Sequence, residues 1–287
     1  MHNVFFLAAV SVLAFTPGAL AWGNLGHHTV GYVAMEFVNP KTLKNVRALI
    51  GPEFNHSLGP AASQPDVIKK TVPEYKFSSV LHYIDALDNP PDQCSVNVTR
   101  DCPEEGCIIT AIQNYTQQIT DMSLNETLRR QALIFVTHFL GDIGQPLHIE
   151  NRAVGGNTIN ATCNGASTNL HAVYDGMLST SVGTRYNGSE TTYAAALVHK
   201  LKWGKYAFQT PQWLHCISPA ALKSTDCISV WARESNQFNC VDVWDFEAGE
   251  DLCTGAYVDT AIPIIDMQIA KQGRRLAAWL DAVFKDC

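Results

Sequence analysis

Two histidine–aspartate pairs in this sequence have the spacing of metal ligands on a helix. His138 precedes Asp142 by four residues, and His171 precedes Asp175 by the same interval, so each pair shares one helix face. Neutral imidazole and carboxylate are ligands that Zn²⁺ accepts, and a pair on one helical turn supplies both with little ordering cost. His148 follows the first pair, after a glycine and a proline that end the helix. The pattern therefore predicts a zinc site.

Two more histidines join this set through their surroundings. His82 lies in the run Leu-His-Tyr-Ile-Asp (81–85), beside an aromatic ring, and His27 lies near the start of the chain. For a single histidine, a buried ring hydrogen-bonded to a carboxylate is the commoner interpretation. Two spaced pairs together with these additional histidines are harder to explain as unrelated core residues. We therefore interpret the whole set as one metal site.

An apolar run over residues 4–15, broken by Thr-Pro-Gly and closed by Ala-Leu-Ala, predicts a signal peptide over residues 1–21. A membrane anchor is the alternative, but the run is shorter than the ~20 apolar residues that a span needs. Removal of the leader would make Trp22 the amino terminus and place its free amine close to His27. The sequence thus predicts a secreted protein in which the Trp22 amine is a further candidate ligand.

The remaining chain, residues 22–287, is long enough for one large domain with a full core. It contains no Ser/Gly/Pro-rich linker, low-complexity tract or internal repeat, so we predict a single domain. The formal net charge of −7 is unlike that of a generic nucleic-acid-binding protein, whose surface is basic. An acidic chain that acts on phosphates needs a local source of positive charge, and bound metal is the obvious one.

Nine cysteines and six Asn-X-Ser/Thr sequons are typical of an oxidising, secretory compartment. The odd cysteine count leaves at least one thiol unpaired or paired between chains, and Cys102 and Cys107 could close a local bridge. No Cys-X-X-Cys pair is present, which argues against a zinc site built from thiolates. The sequons predict surface glycosylation at Asn55, Asn97, Asn114, Asn125, Asn160 and Asn187.

Hydrophobic periodicity indicates a mostly helical chain. Ser123 and Glu126 have the spacing of a capping box, and apolar residues then recur at helical intervals on a helix that carries His138. Near the C-terminus, apolar residues between 265 and 284 mark a long amphipathic helix, with Pro263 in its first turn. Alternating strand patterns are scarce. We therefore predict an all-α fold, a single helical domain with long loops and at most a small sheet.

Several longer motifs stand in order along the chain. They are Trp-Gly-Asn-Leu-Gly-His (22–27), Leu-His-Tyr-Ile-Asp-Ala (81–86), Asp-Asn-Pro-Pro (88–91), His-Phe-Leu-Gly-Asp-Ile-Gly-Gln-Pro-Leu-His (138–148), Gly-Gly-Asn (155–157), Asn-Leu-His-X-X-X-Asp (169–175) and Arg-Leu-Ala-Ala-Trp-Leu (275–280). With them the sequence resembles the secreted single-strand-specific zinc nucleases of fungi and plants, the S-one/P-one or type I nucleases. The resemblance spans essentially the whole mature chain and implies the all-α fold that this family shares with zinc phospholipase C.

The resemblance implies three zinc ions in one cleft. Their ligands would be Asp66, His82, His138 and Asp142 for the first, Trp22, His27 and Asp142 for the second, and His148, His171 and Asp175 for the third. Asp66 would also orient the attacking water, and Lys69 would neutralise charge on the phosphate. Tyr83 and Asp85 would stack on and hydrogen-bond to a base, and Asn157 would complete the substrate site.

The implied activity is hydrolysis of single-stranded DNA and RNA at the P–O3′ bond, with 5′-phosphate products and 3′-nucleotidase activity on 3′-nucleotides. The implied protein is a monomer without stable membrane association. Of the disulfides, the resemblance implies Cys94 with Cys240 and Cys102 with Cys107. The pairing of Cys216 with Cys227 is a guess from their proximity in the sequence, and the partners of the remaining cysteines stay open.

Three departures from the family pattern bear on the site. Gln-Pro precedes Asp66 where the family usually has Trp-Ala, which puts the position of this ligand in question. Lys69 stands where some members carry arginine, and it offers a point charge rather than a bidentate fork. Ile149 follows His148 where the family often has aspartate, which removes a possible acceptor for a ligand histidine.

Two other function classes stay open. A zinc phospholipase C shares the terminal tryptophan and the Gly-Asp-X-X-Gln-Pro-X-His run, but there glutamate tends to replace the aspartate at the position of Asp175. A secreted zinc-binding or effector protein without turnover is the non-enzymatic alternative, and the Gln-Pro before Asp66 is its best support. Asp175 and the Leu-His-Tyr-Ile-Asp segment favour the nuclease.

Overall fold

A computed structural model describes residues 22–286 of the chain, apart from the side chains at positions 178–180 and 183. The predicted signal peptide, residues 1–21, and Cys287 lie outside the described residues. In order, the helices are α1 (Gly23–Met35), α2 (Pro40–Ile50), α3 (Leu58–Ala61), α4 (Gln64–Thr71), α5 (Val98–Asp101), α6 (Ile108–Ile119), α7 (Glu126–Asp142), α8 (Leu170–Tyr186), α9 (Glu190–Lys202), α10 (Thr210–Leu214), α11 (Asp226–Asn236) and α12 (Ala256–Val283).

Short 3₁₀ segments and one small hairpin complete the described structure. The 3₁₀ segments are Pro52–Phe54, Pro73–His82, Pro146–Ile149, Ala221–Lys223 and Gln237–Cys240. Strands β1 (Asn160–Cys163) and β2 (Ala166–Asn169) pair antiparallel, with Asn160 opposite Asn169. The prediction of an all-α fold with at most a small sheet is therefore confirmed.

The first and last helices form the centre of the core. α1 packs against α12 and also contacts α3, α7, α8 and α9. At the crossing, a Cβ on Gly273 of α12 would lie 2.5 Å from a methyl carbon of Val33 on α1. Only glycine permits this approach, because a real Cβ cannot stand so close to another carbon. The close packing holds α1, and therefore its His27, rigidly against the rest of the core.

Two helix starts differ from the sequence prediction. α12 begins at Ala256, after Gly255 with φ of 83°, so Pro263 lies inside the helix rather than in its first turn. Its ring is exposed, and buried Tyr257 and Ile262 extend the apolar face toward the N-terminus. α7 begins after Asn125, whose side chain accepts a hydrogen bond from the Leu128 amide at 3.0 Å. Asparagine is a preferred cap, and it replaces the predicted serine.

Four disulfides cross-link the described residues, two of them over short loops and two over long ones. They are Cys94–Cys240, Cys102–Cys107, Cys163–Cys253 and Cys216–Cys227. The first two are the pairs that the resemblance implied, and the last is the pair guessed from proximity. The bridge from Cys163 to Cys253 ties β1 to the loop before α12, a pairing that the sequence left open.

The surface bears on the predicted compartment. All six sequon asparagines are exposed, so each is accessible to a glycan. Among residues 22–286, no helix combines the length and the apolar character that crossing a membrane requires.

Candidate metal centre

Histidine and aspartate side chains from distant parts of the chain meet in three buried groups. Within each group, the potential ligand atoms all lie within 4.8 Å of one another. The groups are His27, His138 and Asp142; Asp66, His82 and His138; and His148, His171 and Asp175. Because the first two groups share His138, they form one continuous cluster. Every predicted side-chain ligand therefore lies in one of these groups.

α7 and α8 supply the two pairs that the four-residue spacing predicted. His138 Nε2 lies 3.0 Å from Asp142 Oδ2, and His171 Nε2 lies 3.3 Å from Asp175 Oδ2. After α7 ends, the 3₁₀ segment Pro146–Ile149 brings His148 to His171, with ring centroids 5.0 Å apart. Helix spacing thus sets each pair, and the turn after α7 joins the two halves of the site.

Asp66 and His82 enter from the α4 side of the cluster. His82 Nδ1 lies 3.0 Å from Asp142 Oδ2 and 2.9 Å from His138 Nε2. Asp66 Oδ1 lies 3.8 Å from the same nitrogens of both histidines. Pro65 occupies the first turn of α4, where its missing N–H breaks no helical hydrogen bond. The Gln-Pro departure therefore leaves Asp66 directed into the site.

His27 on α1 reaches the other oxygen of Asp142. Its Nε2 lies 3.1 Å from Asp142 Oδ1, and its ring stacks on His138 with centroids 3.9 Å apart. A Cβ at Gly141 would lie 2.8 Å from His27 Nδ1, too close for any real contact. Gly141 therefore makes the space that the His27 ring occupies between α1 and α7.

We expect Gly141→Ala to displace the His27 ring, because both helices are fixed by the core. Metal affinity, and any activity that depends on the metal, should then fall by about 10–100-fold, the range seen when the surroundings of a metal ligand are disturbed. Gly176→Ala on α8 is the matched control, since a Cβ there meets nothing within 4 Å. Metal analysis and initial rates measure both variants. Unchanged metal and rate in Gly141→Ala would contradict this role.

Backbone carbonyls orient three of the histidine rings. Nδ1 of His138 donates to Ala62 O at 2.6 Å, Nδ1 of His148 to His82 O at 2.8 Å, and Nδ1 of His171 to Gly155 O at 2.6 Å. When the ring is neutral, its proton is therefore on Nδ1 and the Nε2 lone pair faces the group, which is the tautomer that binds a metal. The acceptor that Ile149 was expected to remove is therefore not required, because His82 O serves His148.

Several buried atoms in the groups have no hydrogen-bond partner. They include Asp142 Oδ1, Asp175 Oδ2, His148 Nε2 and Asp66 Oδ2. Leaving such atoms unsatisfied costs about 1–3 kcal/mol each, and more for charged groups. A divalent cation would satisfy carboxylate oxygens and neutral imidazole nitrogens at once. The donor set therefore fits a metal.

Burial and charge prepare these side chains as ligands. Burial lowers the pKa of His82 to about 3 and also lowers the pKa of His27 and His148, so these rings are neutral at pH 7. Burial alone would raise the pKa of Asp66, but His138 and Lys69 outweigh it and lower the pKa to about 2. Likewise, the charge of His138 outweighs burial and holds the pKa of Asp142 well below its usual range. Both carboxylates are therefore ionised.

Trp22 is fully buried at the start of α1. Its indole Nε1 donates to Gly141 O at 2.8 Å, and its backbone nitrogen donates to Asp175 Oδ1 at 3.2 Å. The resemblance grouped this nitrogen with His27 and Asp142, whereas its hydrogen-bond partner here belongs to the third group. Trp22 thus lies among the predicted ligands, at the junction of the groups.

A cleft of about 300 Å³ opens beside the third group. Its lining includes the four side chains predicted to act on substrate, together with Glu150, which the sequence did not single out. These residues are Lys69, Tyr83, Asp85, Asn157 and Glu150. Burial raises the pKa of Glu150 to about 7. Its only sequence signal was its place two residues after His148.

A larger cavity, about 790 Å³, lies between α1, α2 and α9. Its lining mixes apolar side chains with Glu36, Arg47 and His56 and includes none of the clustered histidines and aspartates. Size alone does not identify the reactive site. The smaller cleft is the candidate, because it joins the ionisable cluster to exposed aromatic and polar side chains.

Comparison with known proteins agrees with this arrangement. The family model described as S1/P1 nuclease matches residues 22–285. Nuclease S1 of Aspergillus oryzae is 39% identical over 280 residues, covering 96% of this chain and 96% of that protein. Nuclease P1 of Penicillium citrinum is 39% identical over 269 residues, covering 91% and 97%. Endonuclease 3 of Arabidopsis thaliana is 33% identical over 285 residues, covering 96% and 94%. The predicted resemblance is confirmed, and the chain belongs to the S1/P1 nuclease family.

Proposed function

We propose that this protein is a secreted zinc-dependent endonuclease that hydrolyses single-stranded DNA and RNA to 5′-phosphate products and removes the phosphate of 3′-nucleotides. The observation that carries the proposal is the junction of three buried His/Asp groups with a cleft that exposes Tyr83. The first feature suits phosphate chemistry, and the second suits recognition of an unpaired base. Family membership supports both.

Three zinc ions would be held by the residues that the family resemblance implied. Asp66, His82, His138 and Asp142 would hold one, His27 and Asp142 with the free amine of Trp22 a second, and His148, His171 and Asp175 the third. Bound zinc supplies a Lewis acid for the phosphate and lowers the pKa of water, so that hydroxide is available near neutral pH. The positive charge also attracts phosphate to an otherwise acidic chain.

Asp66 and Lys69 would act on the reacting atoms. The ionised Asp66 carboxylate can accept a hydrogen bond from the attacking water and hold its oxygen toward phosphorus. Lys69 Nζ lies 2.6 Å from Asp66 Oδ1 and lines the cleft, so it can offset the charge that develops on the phosphate oxygens. The water oxygen forms a bond to phosphorus as the P–O3′ bond breaks; the proton of the water would pass to the Asp66 carboxylate, and the leaving 3′-oxygen would take a proton from solvent.

Single-strand preference would arise from Tyr83 and Asp85. The Tyr83 side chain is 37% exposed at the cleft, and Asp85 lies half-buried beside the same space. Stacking on a tyrosine ring requires a base that is free of its own neighbours, which a duplex does not offer. Asn157, whose Nδ2 donates to Val154 O at 2.8 Å, keeps its oxygen available to a nucleotide.

We expect Tyr83→Ala to weaken cleavage of short single-stranded oligonucleotides by about 1–3 kcal/mol of transition-state binding, because it removes one base-stacking surface. Zinc content should stay unchanged, since Tyr83 is in none of the three groups. Steady-state kinetics and metal analysis of the same preparation measure both effects. Unchanged kinetics would reassign Tyr83 to packing.

The cellular setting is part of the proposal. Four disulfides and six exposed sequon asparagines support a secreted glycoprotein, and the continuous hydrophobic core supports a single domain over residues 22–287. We infer a monomer without stable membrane association. Size-exclusion chromatography with light scattering, applied to protein from culture medium, tests the location and the oligomeric state together.

A zymogram on single-stranded DNA, run beside double-stranded DNA and lecithin, tests the proposed activity. We expect zinc-dependent clearing on single-stranded DNA and little on the other two substrates. Clearing of lecithin alone would indicate a phospholipase. Stoichiometric zinc with no turnover on any substrate would indicate a binding protein.

A further inference from the structure

The turn between α9 and α10 exposes two large aromatic rings. The Trp203 side chain is 79% exposed and the Phe208 side chain is 95% exposed, whereas Tyr206 between them is 2% exposed. Burying such rings elsewhere would stabilise the fold, since each carries a large apolar surface. Two exposed aromatic rings within six residues therefore indicate a ligand-binding surface.

The backbone holds these rings in place. Trp203 N donates to His199 O at 2.9 Å, and Tyr206 N donates to Lys200 O at 3.1 Å, which closes the end of α9. The Tyr206 ring packs against Trp213 of α10, with centroids 5.6 Å apart. Because the turn is already ordered, a ligand that binds there loses little affinity to ordering it.

The same turn is rich in lysine, although the chain as a whole is acidic. Residues 200–208 contain three lysines and no acidic residue, although the protein carries a formal net charge of −7. Lys200 pairs with Asp266 at 2.8 Å, and Lys202 lies 3.8 Å from Glu36. Lys205 Nζ lies over the Tyr206 ring, 4.8 Å from its centroid, and its charge faces solvent. Two of the three lysines are thus paired with acidic side chains, and the Lys205 ammonium is the positive charge that the turn offers to an anionic ligand.

Neighbouring elements extend this surface. Lys202 Nζ and the Arg274 guanidinium both lie over the Phe37 ring, at 5.2 and 4.4 Å from its centroid. We call this surface the Trp203 platform; its members are Phe37, Lys202, Trp203, Lys205, Phe208 and Arg274. None of them lines the reactive cleft or belongs to a His/Asp group. Binding at the platform would thus be additional to binding at the cleft.

We propose that the Trp203 platform is a second binding site for single-stranded nucleic acid, which holds long substrates while the cleft cleaves them. Bases stack on Trp203 and Phe208, and the lysines follow the phosphate backbone, the combination found in single-strand-binding surfaces. An anionic membrane is the weaker alternative, because membrane-surface segments present a broad aliphatic face and this turn exposes two separate rings. The choice of ligand rests on the proposed nuclease function.

Kinetics on substrates of different length test the proposal. We expect the double variant Trp203→Ala, Phe208→Ala to raise KM for long single-stranded DNA by about tenfold, the effect of losing base-stacking contacts, with kcat unchanged. Cleavage of a dinucleotide should be unaffected, because none of the platform residues lines the cleft. Lys202→Glu with Lys205→Glu should also raise KM for the long substrate and weaken its dependence on salt.

Two control variants match these changes elsewhere on the surface. Met122→Ala removes another side chain that is 78% exposed, and Lys223→Glu reverses an exposed charge on the segment Ala221–Lys223. Both should leave KM for long DNA unchanged. An unchanged KM in the platform variants, or an equal loss on the dinucleotide, would overturn the proposal.

Fluorescence provides a measurement that does not depend on cleavage. In an Asp66→Asn background, oligothymidylate should quench the exposed Trp203, and the quenching should disappear in Trp203→Phe. If the wild-type protein cleaves no nucleic acid, the proposed function fails while this titration still tests the platform. Binding of phosphatidylserine vesicles that requires the platform, without binding of oligothymidylate, would overturn the proposal in favour of a membrane.

Discussion

Asp142→Asn should remove zinc and abolish nuclease activity, with a loss in kcat on the order of a thousandfold or more. The reason lies in the position of this carboxylate between the groups. Its Oδ1 lies 3.1 Å from His27 Nε2, and its Oδ2 lies 3.0 Å from both His82 Nδ1 and His138 Nε2. An amide removes the negative charge and turns N–H donors toward nitrogens that must bind a cation.

Metal analysis, circular dichroism and a rate assay on single-stranded DNA separate loss of metal from loss of fold. His199→Ala and His215→Ala are suitable controls, because both side chains are exposed and belong to none of the three groups. We expect them to retain zinc and activity. Full zinc occupancy and normal turnover in Asp142→Asn would refute the assignment of this residue as a shared ligand.

A single glycine added before Trp22 in the mature protein should reduce bound zinc by one ion per chain and lower the cleavage rate by about a hundredfold. The extension converts the terminal amine into an amide, which is a poor metal donor at ordinary pH. It also adds atoms beside a backbone nitrogen that is buried 3.2 Å from Asp175 Oδ1. A packing role for Trp22 predicts a much smaller effect.

The fold should survive this extension. The indole of Trp22 keeps its hydrogen bond to Gly141 O, and the Tyr174 ring remains 6.4 Å from it. We would compare mature and glycine-extended protein for zinc stoichiometry, circular dichroism and cleavage rate. Equal zinc and equal rates would exclude the amino terminus as a ligand and would leave Trp22 as a core residue.

Local features of the fold were predictable because they depend on neighbours in the sequence. Apolar periodicity follows the helical repeat, so it identified a mostly helical chain and its long last helix. The sequence predicted the first residues of the helices less accurately. Asn125 and Gly255 immediately precede α7 and α12, because cap geometry and buried residues upstream of Pro263 decide those boundaries.

The sequence by itself determined which side chains supply the chemistry of this protein. Only the tertiary structure decided how those side chains come together in one site. Four-residue spacing was enough to pair His138 with Asp142, since one helical turn brings them to the same face. No local rule could place Asp66 or His27 against that pair, because their approach depends on how separate helices pack. The space at Gly141, the carbonyls that orient the rings and the exposure of Trp203 depend on the same long-range packing.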